Sequence, residues 1–106
     1  AVIETHPILG ERILQPIEQL EQVRRIVRSC HERWDGGGYP DQLKGHEIPI
    51  ESRIIIACDA FHAMTTDRPY RQALEVEEAR WRLEEASGTQ FDPEVVDALL
   101  CVLDDR

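Results

Sequence analysis

Cys30-His31-Glu32-Arg33-Trp34-Asp35-Gly36-Gly37-Gly38-Tyr39-Pro40 is the stretch on which the reading of this chain turns. Ahead of it the apolar residues recur at helical spacing, and from Asp35 onward the pattern is lost for some fifteen positions. Three consecutive glycines let the backbone take positive φ or approach another group closely. Tyr39 follows with a flat ring and a hydroxyl, and Pro40 stiffens the exit. A histidine on the last helical turn before such a segment is placed to hold a metal or a phosphate. An ordinary helix C-cap followed by a turn accounts for the same residues.

Working outward, the periodicity is helical throughout, and no stretch alternates as a strand would. The sequence predicts an all-α fold of about five helices, in one domain covering 1–106. The first spans Ile3 to Leu14 and ends at Pro16. The second spans Ile17 to Arg33, with Leu20, Val23, Ile26, Val27, Cys30 and Trp34 as one buried stripe and His31 half-buried at its edge. Asp35 to Pro49 is a loop, long enough to suggest a functional one. The third helix, Ile50 to Thr66, has little polar face and should be central. The fourth runs from Val76 to Ala86, with a stripe of Val76, Ala79 and Leu83 that leaves Trp81 partly exposed, and it stops at Ser87-Gly88. The fifth opens with Asp92 as N-cap and Pro93 as first residue, carrying Val95, Val96, Leu99, Leu100 and Leu103 on one side.

The bulk properties narrow the function classes. Twelve basic against 21 acidic side chains give a net charge of −9, which argues against non-specific binding to a nucleic-acid backbone such as DNA. A cation site is compatible with that charge. A doubly charged dinucleotide would need metals or placed arginines to approach it. Cys30, Cys58 and Cys101 are odd in number and widely spaced, which reads as reduced thiols in a cytoplasmic protein. No apolar run approaches the ~20 residues of a membrane span, and no signal peptide is visible.

Asp59 is the most informative single residue. It lies mid-helix among Ile, Ala, Cys and Phe, where a buried carboxylate is costly unless paired or bound to a cation. A salt bridge to Arg53 or Arg68 is the alternative to a ligand role. His62 shares its face at i, i+3.

The central stretch, as His31-Glu32-Arg33-x-Asp35-Gly36-x-Gly38-Tyr39-Pro40, resembles the signature of the HD-GYP family. These are bacterial metal-dependent phosphohydrolases of the HD superfamily, and those characterised mostly cleave cyclic di-GMP. The likeness continues through Leu43-Lys44-Gly45, Glu47-Ile48-Pro49, Arg53-Ile54, Cys58-Asp59-Ala60-Phe61, Thr65 to Arg71 and Phe91-Asp92-Pro93, and reaches upstream to His6-Pro7-Ile8-Leu9-Gly10. It implies a partial HD-domain-like helical bundle. It also implies that His6, His31 and Asp59 are metal ligands, with Cys30 and His62 as possible substitutes, for a divalent ion such as Fe, Mn or Zn. Tyr39, Arg68, Arg71, Gly36 and Gly38 match the substrate side. No residue is assigned a catalytic role.

The chain departs from the family at three places. Cys30 stands where the family has the first histidine of a pair, and His62 where it usually has an aspartate. No His-Asp dipeptide occurs anywhere in the sequence, so the bridging carboxylate of a multinuclear site is missing, as is the family's lysine soon after it. The chain is expected to be the C-terminal part of such a domain, inactive by itself. A non-catalytic module for protein interaction or ligand binding in signalling is the second reading. Apolar faces left bare on the second and third helices predict self-association as a two-fold dimer.

Overall fold

The architecture is a set of helices packed around the long helix that follows the glycine-rich loop. It was obtained as a computed structural model, and it describes residue 8 and residues 21–105. Apart from Ile8, which is helical, the first helix expected from the sequence, the start of the second, and His6 lie outside the described residues. Four α-helices occur among the described residues: α1, Glu21–Arg28; α2, Ile50–Thr65; α3, Val76–Glu85; and α4, Pro93–Asp104. No strand forms among them, and a single 3-10 turn, Gly45–Glu47, interrupts the loop between α1 and α2.

α2 packs against each of the other three helices, as its composition predicts. The core lies at the α2–α3–α4 junction. Ala57, Leu83, Phe91, Val95 and Val96 are buried there, with Ile56, Ala60, Phe61 and Met64 packed against them. α4 begins as predicted: Pro93 needs no amide partner at its position, and the Asp92 carboxylate accepts the Glu94 amide at 2.9 Å. The turn from α3 to α4 uses Gly88 at φ +87, a conformation open to glycine at little cost.

Three expectations need correction. The second helix does not reach Arg33: α1 ends at Arg28. The Ser29 amide is shared between the Arg25 and Ile26 carbonyls, the Cys30 amide slips to Val27, and Glu32 then bonds back to Ser29, so the chain turns before His31. The stripe on α1 is only part-buried, with Val23 40% exposed and no α1 residue buried. On α2 the apolar surface exceeds what its neighbours cover. Ile50, Ile54 and Ile55 are exposed, while Ala57 packs in the core and Ser52 is buried with its hydroxyl donating to the Ile26 carbonyl of α1 at 2.9 Å. Val76 is likewise exposed, whereas Ala79 and Leu83 are buried and Trp81 is exposed.

Candidate functional site

The loop from Ser29 to Pro49 has few apolar residues to bury, so polar bonds hold its shape. Glu32 is 1% exposed. Its two carboxylate oxygens accept the amides of Asp41 at 2.8 Å and Leu43 at 2.9 Å. The Asp41 side chain in turn takes a two-point bond from Arg28, at 2.8 and 3.0 Å, which holds the Asp41 carboxyl below its ordinary range. Gly38 is needed for contact rather than for φ. A Cβ there would lie 2.5 Å from Glu32 Cα and from the Arg33 backbone nitrogen. Gly36, at φ +86, sits beside Lys44. Trp34 and Asp35 are tied to the α3–α4 turn, their amides donating to Gln90 and Thr89.

This scaffold brings His31 and Tyr39 together. The Tyr39 amide donates to the His31 carbonyl at 3.2 Å. The two rings stack with centroids 5.2 Å apart and planes 6° from parallel. Both line a cavity of about 380 Å³ with Cys30, Glu32, Arg33, Ile56, Asp59, Ala60 and Gln90. His31 and Asp59, predicted from distant parts of the chain, therefore face one space.

Their surroundings differ from expectation. Both are exposed, not buried or half-buried. The early end of α1 lifts His31 off the helix, and the uncovered side of α2 leaves Asp59 open. Among the described residues no ion pair joins Asp59 to Arg53 or Arg68. Arg53 instead donates to Asp92 at 2.7 Å and to the Ile48 carbonyl at 3.0 Å.

Cys30 lies at the cavity with its thiol donating to the Ile26 carbonyl at 3.0 Å. Burial, with the nearby Asp59 charge as a smaller cause, pushes this thiol up. His62 is exposed and does not line the cavity. Neither do Arg68 and Arg71. These two pair through backbone bonds in a tight turn, and the Arg71 guanidinium donates to the Ala63 carbonyl at 2.8 Å, closing the loop onto the end of α2.

Arg33 and Gln90 are two of the wall residues that the sequence did not single out. Arg33 brings a cation to the cavity, its guanidinium aligned by Asp35 at 3.0–3.1 Å. Gln90 reaches the wall from the α3–α4 turn. Only the pairing of residues 34–35 with 89–90 brings Gln90 there, and no local signal marks it.

Among the described residues no three His, Cys, Asp or Glu side chains converge closely enough to hold a metal ion. His31 and Asp59 have suitable donor chemistry but do not complete a site between them.

The HD domain family model matches residues 1–95. A cyclic di-GMP phosphodiesterase of Thermotoga maritima is 44% identical over 93% of this chain and 27% of its own length. The response regulator RpfG of Xanthomonas campestris, a cyclic di-GMP phosphodiesterase, is 40% identical over 93% and 27%. The crystal structure of a cyclic GMP-AMP specific phosphodiesterase of Vibrio cholerae superposes with a TM-score of 0.81 at 28% identity, covering 96% of this chain and 23% of that one. The chain thus spans about a quarter of the length of these relatives. Match and motifs together make the chain a member of the HD domain family, of the HD-GYP type.

Proposed function

We propose that this chain forms one wall of a metal-dependent phosphodiesterase site for a cyclic dinucleotide of the cyclic di-GMP or cyclic GMP-AMP kind. The observation that carries the reading is that His31, Asp59 and Tyr39 line one cavity. In it His31 and Asp59 contribute to holding a divalent ion, Fe, Mn or Zn, with His6 as a further ligand. Cys30 stands within reach of the same space as a substitute, and His62 is the weaker substitute. Tyr39 offers an aromatic face to a base, and Arg33 a cation to a phosphate. Arg68 and Arg71 serve a more distant part of the substrate, while Gly36 and Gly38 shape the loop beside it. Because the sequence carries no His-Asp pair to bridge two metals, the chain by itself binds without turnover. Its setting is cytoplasmic signalling, and no helix among the described residues is long and apolar enough to cross a membrane.

Metal content of the purified protein, loaded with Mn²⁺ and read by mass spectrometry, tests this. The expected result is about one ion per chain, lost in Asp59→Ala and His31→Ala. Cyclic di-GMP is then expected to bind only the loaded form. A natively folded chain that takes up neither metal nor nucleotide overturns the reading.

A second reading, an interaction module, is favoured by one feature. Ile50, Ile54 and Cys58 of α2 and Val95, Ala98, Leu99 and Val102 of α4 line an open apolar groove of about 420 Å³. Its occupant in this reading is a second copy of the chain, the groove's α2 ridge meeting its own equivalent across a two-fold axis. Sedimentation should then show a dimer that Ile54→Glu dissociates. A monomer at tens of micromolar, on the order of the Kd of weak dimers, sinks it.

A further inference from the structure

Glu32 is the most completely buried charged side chain among the described residues, at 1% exposure. No described ion pair involves it, and both of its oxygens are engaged by main-chain amides. A carboxylate buried without a cation persists where amide donors satisfy it. Here the donors come from residues 41 and 43, either side of Gln42, which takes φ +55. The loop therefore curls around the carboxylate, and Arg28 braces the outside of the same curl through the Asp41 side chain.

Between the two ends of this clip lie the cavity's rings. Glu32 directly follows His31, and Tyr39 lies two residues before Asp41. The Tyr39 amide bond to His31, the close approach of Gly38 to Glu32, and the two carboxylate bonds close segments 31–33 and 38–43 on one another. Without the carboxylate grip, residues 41–43 keep only the Arg28 brace on Asp41, and the segment that carries Tyr39 loosens.

We propose that Glu32 is a positioning residue for this cavity: its grip on the Asp41 and Leu43 amides holds Tyr39 in its parallel stack on His31 and so helps set the imidazole's orientation in the cavity that Asp59 also lines. The consequence for ligand binding rests on the functional reading given above; the stack itself does not.

The test compares Glu32→Gln with wild type by NMR in the metal-free protein. Gln keeps the shape but offers one acceptor oxygen in place of two. Tyr39→Leu marks the His31 ring-proton shifts expected without the aromatic neighbour. Arg28→Gln serves as a control that loosens the same loop from outside. We expect the His31 ring protons of Glu32→Gln to move most of the way to their Tyr39→Leu positions, while those of Arg28→Gln stay near wild type. Mn²⁺ affinity should fall at least severalfold in Glu32→Gln, more than in Arg28→Gln. If Glu32→Gln does not fold, Glu32→Asp, one methylene shorter, replaces it, with amide exchange at Asp41 and Leu43 as the readout. Unmoved His31 resonances, with only the melting temperature lowered, overturn the proposal. A wild-type chain that binds no Mn²⁺ defeats the functional reading, and the resonance test still decides the role of Glu32.

Discussion

The Arg53 guanidinium sits 2.7 Å from the Asp92 carboxylate, with the two side chains 13% and 2% exposed. One pair thereby joins the first turns of α2 to the N-cap of α4. It also ties in the end of the glycine-rich loop, because Arg53 donates to the Ile48 carbonyl as well. Arg53→Met leaves a buried carboxylate with only the Glu94 amide as a described partner. Loss of about 3–5 kcal/mol is expected, since breaking a buried pair from one side strands the other charge. Urea denaturation measures it, and a change below about 1 kcal/mol would show that Asp92 is satisfied without arginine.

Gly38→Ala and Gly45→Ala separate two uses of glycine in one loop. At Gly38 the new methyl meets backbone atoms at 2.5 Å, which cannot move aside as a side-chain tip can. A cost of about 1–3 kcal/mol or more is expected, together with weaker nucleotide binding, because Tyr39 is the next residue. At Gly45 the methyl meets nothing within 4 Å. Only its φ of +59 penalises alanine, by about 1–2 kcal/mol. Equal effects of the two substitutions on nucleotide binding would contradict this account.

Arg33, which lines the cavity, and Arg68, which does not, predict unequal effects on ligand affinity. Arg33→Ala should weaken cyclic di-GMP binding to the metal-loaded protein about tenfold, roughly 1.4 kcal/mol. Arg68→Ala should change it less. Isothermal titration decides, and a larger loss at Arg68 would move the phosphate subsite to the loop after α2.

Stability should fall in acid, and Asp41 should account for part of the slope. Arg28 holds the Asp41 carboxyl below its ordinary value of 3.8. The unfolded chain therefore binds the proton more readily than the folded one, and stability rises with pH through that range. The contribution is complete above the ordinary carboxylate value and is lost as pH falls through the lower, folded one. Both side chains are about one-third exposed, so the size is modest, under about 1 kcal/mol. Asp41→Asn should flatten the acid limb of a pH series of melting temperatures, and an unchanged limb would remove Asp41 from the account.

Local pattern was enough to read α2, α3 and α4 almost to the residue. Pro93 after Asp92, and Gly88 after the α3 stripe, are signals that act within one turn of the chain. The family was legible for the same reason, because the residues from His31 to Pro40 carry their spacing in sequence. What periodicity could not show was where α1 stops. Val27, Cys30 and Trp34 continue its pattern past Arg28, but Glu32 finds its amides at Asp41 and Leu43, nine and eleven residues on. That long-range bond competes with continued helix and wins, because it satisfies a buried charge. Burial of Asp59 was misjudged on similar grounds: an apolar neighbourhood along a helix says nothing of whether another element covers that face. The composition of the cavity likewise waited on the fold. Arg33 and Gln90 became neighbours only when residues 34–35 paired with 89–90, a contact between segments that nothing in either local sequence announces. Short-range spacing was enough for α2, α3, the start of α4, the motif and the ancestry. The tertiary structure decided which side chains meet, because burial, stacking and shared hydrogen bonds belong to pairs of segments rather than to one.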